Sequence, residues 1–252
     1  MTGFAPTTAR DLPHDRRAGE ERLGVVAYTN VAPLHWGLEA WDEDGHVARF
    51  VSGVPTELNA ALLAGDVDLT LMSSVEFLRH RHALAALPDF SVASLAPVHS
   101  VTLFHHRPWA DLDGARIAVT TASATSVALL EVLLAASGVR ATLVPHADHD
   151  LGAMLVEHDG ALLIGDAALR EGVARRAFGG VRPHLSDLGE RWYDLTRLPF
   201  TFAVWAYRRD RPPSARMASA TASRSGHCTR PSSRSRPAAM TIRPFSLPPP
   251  LS

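Results

Sequence analysis

The chain has 252 residues, 46% of them hydrophobic and 20% charged, material for one large or two modest domains with a sizeable core. Its net charge of −1 hides an asymmetry: residues 1–210 carry 18 Arg against 26 acids, while from Arg211 onward there are seven Arg and no acid. An acidic body excludes a nucleic-acid surface, which needs clustered positive charge, and a single cysteine, Cys228, excludes an intrachain disulfide and a cysteine metal cluster.

Residues 1–21 are polar and charged with no apolar centre, so they are expected to form a disordered leader and not an export signal. No apolar run approaches the roughly 20 residues of a membrane helix, and the expected location is the cytoplasm. "RLGVVAY" (22–28) reads as a strand, with a helical start expected near residues 33–38. Asn30, in "YTN", follows that strand where an α/β sheet presents loop residues to a ligand; a plain turn residue is the competing reading. In "VPTELNAALLAGD" Pro55 suits a first helical position, Leu58 and Leu62 share a face, and Gly65 can end the helix. "DLTLM" (68–72) is then a strand, and Ser73-Ser74-Val75-Glu76 has the capping-box form that opens another helix.

"ARIAVT" (115–120), "ATSVALLEVLLAA" and "ATLVP" (141–145) make a strand–helix–strand unit, and "GALLIGDAALREGVARRA" adds another strand with Asp166 at the mouth of the next helix. Strands separated by helices of this size indicate an α/β fold with mainly parallel sheets. Two extended runs stand apart, "SVTLFHH" (100–106) and "PFTFAVWAY" (199–207), with their own strand–helix alternation between them. The expected domain organisation is a first lobe over residues 22–102 completed by 199–210, an inserted lobe over 103–198, two crossing strands, and a ligand cleft between the lobes.

Five hydroxyl residues, Thr120, Thr121, Ser123, Thr125 and Ser126, crowd the start of the 124–136 helix. The first N–H groups of a helix lack internal partners and carry positive potential; small hydroxyl residues let an anion approach them and add donors. Capping accounts for one or two such residues, and a carboxylate cradle for all five. Ser73 and Ser74 form a second mouth of this kind, where capping alone would suffice. No side-chain spacing matches a metal site: "HADHD" (146–150), "HH" (105–106) and "RHRH" (79–82) read as solvated loops or helix ends, so no metal is expected. Trp192 and Trp205 read as packing aromatics. After Asp210 the composition turns to Arg, Ser, Pro and Ala, so residues 211–252 are expected to be an aberrant, disordered tail, readable as an out-of-frame translation of GC-rich DNA.

"VVAYTNVAPLHWGLE", "GVPTELNAALLAGDVDLTLMSSVEFLR", "LDGARIAVTTASATSVALLEVLL", "LLIGDAAL" and "DLGERWYDLTRLPFTFAVWA" occur in order from about residue 23 to residue 206. Together they resemble the chorismate dehydratases of the futalosine route to menaquinone. The resemblance implies the two-lobed fold of type II periplasmic binding proteins in a cytoplasmic, cofactor-free lyase that removes water from chorismate, a dicarboxylate, to give 3-[(1-carboxyvinyl)oxy]benzoate. By the same resemblance Asn30 and Ser100 are catalytic, and Ser73, Ser74, Thr120, Thr121, Ser123, Thr125 and Ser126 bind substrate; Asp166, at its helix mouth, is a further substrate-binding candidate, with a helix cap as the competing reading. The family continues past the second crossing strand with helices that return to the first lobe. Their replacement by the basic tail is expected to expose apolar surface. Alternative readings are a 1,4-dihydroxy-6-naphthoate synthase-like enzyme of the same pathway and a non-catalytic binder of small organic anions. The oligomeric state has no signature in the sequence.

Overall fold

The structure, a computed structural model, describes residues 7–9, 19–31, 48–147, 150–177 and 183–225. Eleven strands among these form two sheets. The first takes β1 (Thr7–Thr8), β2 (Arg22–Val26), β3 (Arg49–Gly53), β4 (Leu69–Ser73), β5 (Leu84–Ser94) and β11 (Phe200–Arg208) in the order β1-β3-β2-β4-β11-β5. The second takes β6 (Val101–His105), β7 (Arg116–Thr120), β8 (Thr142–His146), β9 (Gly160–Ile164) and β10 (His184–Asp187) in the order β10-β6-β9-β7-β8. The helices are α1 (Pro55–Ala64), α2 (Ser74–Arg79), α3 (Ala124–Ala136), α4 (Leu151–Glu157), α5 (Gly165–Ala177), α6 (Leu188–Thr196) and α7 (Ala215–Ser225).

Each sheet is mixed where mainly parallel pairing was expected. β2 pairs parallel with β3 and β4, but β11 runs antiparallel between β4 and β5. Likewise β7 pairs parallel with β8 and β9, while β6 runs antiparallel to β9 and β10. The cause is the double crossing. The chain leaves the first sheet after β5, enters the second as β6, and returns through β11, so each sheet gains one strand of reversed direction. The two extended runs of the sequence are thus β6, paired only within the second sheet, and β11, paired only within the first.

α1 follows the local signals closely. Pro55 occupies its first turn, Leu58 and Leu62 are fully buried, and Gly65 closes it in the left-handed conformation at φ 86°. Gly24 is required by packing: a Cβ there would lie 2.5 Å from the Thr70 hydroxyl oxygen, which hydrogen-bonds back to the Gly24 carbonyl across β2 and β4. Trp205 is buried in the core of the first lobe.

Near both ends, described elements fall inside the expected leader and tail. Thr7–Thr8, inside the expected leader, pair parallel with Val51 and Ser52 of β3. The expected disordered tail contains α7, whose Met217 and Thr221 are 1% and 0% exposed. Its approach is fixed by Arg211, paired with Asp68 at 3.0 Å, and by Ser214, whose N–H and hydroxyl donate to Glu21. Four-residue spacing puts Met217 and Thr221 on one face, and that face packs on β5 and joins the first lobe's core. The expected helical start at 33–38, Cys228 and residues 226–252 lie outside the described residues. Among the described residues no helix is long and apolar enough to cross a membrane.

Candidate functional site

A cleft with about 610 Å³ of atom-free space, partly open to solvent, separates the two sheets. The first-lobe side supplies Val26, Tyr28, Val31, Leu71, Ser73, Phe202 and Ala203; the second supplies Val101, Ser123, Ser126, Ile164 and Gly165. Val98 and Ser100 line it from the first crossing. The walls are apolar, and the polar groups on them come from four serines, one tyrosine and exposed backbone. Among the described residues that line the cleft there is no Arg, His, Asp or Glu.

The serines reach the cleft by different routes. Ser73 ends β4 and stands at the cap position of α2, yet its side chain makes no capping bond. The expected capping box is therefore absent: Glu76 turns instead to Arg79 at 2.6 Å and to His80. Ser73 is held by its backbone, whose N–H donates to Asn59 at 3.2 Å, leaving the side chain on the cleft wall. Ser100 is 4% exposed; its N–H donates to the Val98 carbonyl and its own carbonyl accepts from Gly165 at the start of α5.

The five hydroxyls ahead of α3 divide their labour. Ser123 caps the helix by accepting from the Ser126 N–H at 3.2 Å, and the two hydroxyls lie 3.0 Å apart. If Ser126 donates to Ser123, the Ser123 hydroxyl hydrogen is directed elsewhere, and both side chains line the cleft. Thr120 accepts from Ala122 N–H and Thr125 accepts from Val75 N–H of α2, so each supports backbone. Thr121 is exposed in a turn. Ser74 is turned away, donating to the Thr201 carbonyl at 2.8 Å.

Asp166, in the first turn of α5, accepts from the Thr29 N–H at 3.1 Å and from the Thr29 hydroxyl at 2.9 Å. Thr29 opens the 3-10 turn Thr29–Val31 that carries Asn30; the Asn30 side chain lies outside the described residues. Together with Thr125 and Val75, Asp166 and Thr29 hold the two lobes together across the cleft.

Sequence reasoning passed over Tyr28. Its ring packs against Gly165, where a Cβ would come 3.0 Å from it, and Gly165 has φ 58°. Burial, reinforced by the Asp166 and Glu57 carboxylates, pushes the Tyr28 hydroxyl up to about 12. It is therefore a neutral donor at any ordinary pH. Asn30, two residues on, drew attention by its place after the first strand; only the fold reveals which way Tyr28 faces. Asp148 and His149 of the histidine-rich loop lie outside the described residues, and among the described ones no three His, Cys, Asp or Glu gather as a metal site.

A family model described as menaquinone biosynthesis matches residues 21–235. Over 203 residues the chain is 44% identical to the chorismate dehydratase of Thermus thermophilus, covering 76% of this chain and 71% of that one. Among solved structures, a protein of Archaeoglobus fulgidus superposes with a TM-score of 0.60 at 19% identity, over 84% of this chain and 76% of that one. The alkanesulfonate-binding protein of Xanthomonas axonopodis, solved with MOPS bound, gives 0.55 at 20% identity, over 78% and 68%. These two likenesses establish the fold, that of the periplasmic binding proteins.

Proposed function

This chain belongs to the menaquinone-biosynthesis family that includes the chorismate dehydratases, and on that premise we propose that its interlobe cleft binds chorismate and eliminates water from it. The product is 3-[(1-carboxyvinyl)oxy]benzoate, and the enzyme is a carbon–oxygen hydro-lyase. One observation carries the reading: buried hydroxyls from both lobes and the first residues of α3 and α5 meet on a cleft that the described residues line without an ionised side chain.

Such a wall suits a small dianion. A helix start presents about half a positive charge within contact distance of a carboxylate, and hydroxyls donate without carrying a proton that could be lost at neutral pH. Ser123 and Ser126 serve one carboxylate at the start of α3. Ser73 and the neutral Tyr28 hydroxyl are positioned to serve the other, or the enol ether oxygen.

In the elimination, one ring C–H bond breaks and its electron pair becomes a ring double bond. The neighbouring C–O bond breaks in turn, and the departing hydroxyl takes up the proton that the base removed and leaves as water, so the base is restored. Aromatisation of the ring supplies the driving force. The base is the substrate's own enolpyruvyl carboxylate, which the site turns toward the ring proton. Asn30 and Ser100 are assigned, on the family resemblance, as hydrogen-bond donors to the charge that develops; a preorganised donor of this kind is worth about 10²–10³ in rate.

Incubation of the full chain with chorismate, followed by chromatography for the aromatic acid, tests the reading. Product at a rate proportional to protein supports it. Chorismate that binds without being consumed would instead make the chain an organic-anion binder.

A further inference from the structure

The first crossing between lobes, residues 95–100, ends on Ser100, and its backbone is under constraint. Ala96 has φ 106° and His99 has φ 59°, conformations that cost a residue bearing a Cβ energy unless the surroundings impose them. The Ala96 carbonyl is held by the Ser94 hydroxyl, which donates to it at 3.2 Å, whereas at the His99 end the constraint comes from Asp187, a 7% exposed residue at the end of β10. Its Oδ2 accepts from His99 N–H at 2.6 Å and Val98 N–H at 3.1 Å. Its Oδ1 accepts from Gly189 and Glu190 N–H at 2.9 and 3.0 Å, capping α6, and shares the Val98 N–H. Gly189 allows this approach: a Cβ there would lie 2.8 Å from the Ala96 carbonyl and 2.9 Å from the Ser94 hydroxyl.

The cap of α6 needs one oxygen. The second serves only the crossing, and it fixes the two residues immediately before Ser100. We propose that Asp187 is a positioning residue of the dehydration: it holds the strained crossing so that Ser100 faces the substrate, without touching the substrate itself. This rests on the dehydratase reading and on the role assigned there to Ser100.

Asp187→Asn separates the two duties, because an amide keeps one acceptor for α6 and sets an NH₂ group against the crossing N–H groups. A misplacement of about 1 Å costs about 10²-fold in rate, so kcat is expected to fall by about that factor with KM little changed. A double-mutant cycle supplies the readout that a purely structural role would not move. In a Ser100→Ala background, Asp187→Asn should lower kcat no further, because groups acting through one another are non-additive. Asp150→Ala, which removes the cap of α4 away from the crossing, serves as the matched loss of a helix cap and should leave kcat unchanged. Should Asp187→Asn fail to fold, Asp187→Ser, which retains a good cap and no second acceptor, is read in its place.

Unchanged kcat in the Asp187 variant, or multiplicative effects of the two substitutions, overturns the proposal while the dehydratase reading stands. If the unsubstituted chain forms no aromatic acid, the dehydratase reading fails and takes this proposal with it.

Discussion

Tyr28 makes one side chain answer for both binding and pH response. Its folded pKa, about 12, lies above the ordinary value of 10.0 because burial and then two carboxylates oppose the phenolate. The folded state therefore holds this proton more tightly than the unfolded chain, and the stability it brings is complete below pH 10. As pH rises from 10 toward 12 the unfolded chain ionises first and that stability is lost. Melting followed by circular dichroism should show Tyr28→Phe losing less stability than the parent chain across this window, since the ring stays on Gly165 and only the ionisable group goes. Equal slopes would place the hydroxyl in water. Ser123→Ala is a sharper test of the cradle: it removes both the α3 cap and a cleft donor, so it should cost about 1 kcal/mol of stability and also raise KM. Loss of stability with unchanged KM reduces Ser123 to its cap.

At the scale of elements, stretches governed by local physics were legible and those governed by partners were not. α1 and the β7–α3–β8 unit could be read because cap, apolar spacing and terminal glycine agree within one window. β5 could not, because Pro88 interrupts "LAALPDFSVAS" and a proline donates no ladder bond. The strand exists as the edge of its sheet, and its register with β11 steps from Ala86↔Ala206 to Ser91↔Val204 across that proline. β10 is four residues of polar character whose identity comes from pairing with β6. Around the candidate site, the helix starts after Ser73 and Ser123 were legible because helix starts announce themselves; which hydroxyls line the cleft is decided by tertiary contact. α7 was hidden by its arginines and serines; among its described side chains Met217 and Thr221 mark the buried face. Met217→Ala should therefore cost about 2–5 kcal/mol in a urea titration, against almost nothing if residues 215–225 left the core. Gly24→Ala should cost about 1–3 kcal/mol, because the added methyl displaces Thr70 from its bond to the β2 backbone.

For the whole molecule, the charge distribution opposes the ligand and the fold's local field favours it. Residues 1–210, which supply all of the described lining, carry a net charge of −8, brought to −1 for the full chain by the seven arginines of residues 211–252, so near the cleft a dianion meets the repulsion of an acidic body, and the described lining offers no arginine to offset it. Attraction comes from helix ends and hydroxyls at contact distance. Salt separates the two because it acts by distance: at about 0.1 M the screening length is about 10 Å, enough to mute carboxylates spread over the surface but not donors touching the ligand. Raising sodium chloride from about 0.02 to 0.2 M should thus leave KM for chorismate flat or lower it slightly. A site that relied on arginines would behave oppositely, because their attraction is what salt would weaken. Steady-state kinetics across that range decides between them, and a KM that climbs severalfold would mean that cations outside the described lining hold the carboxylates.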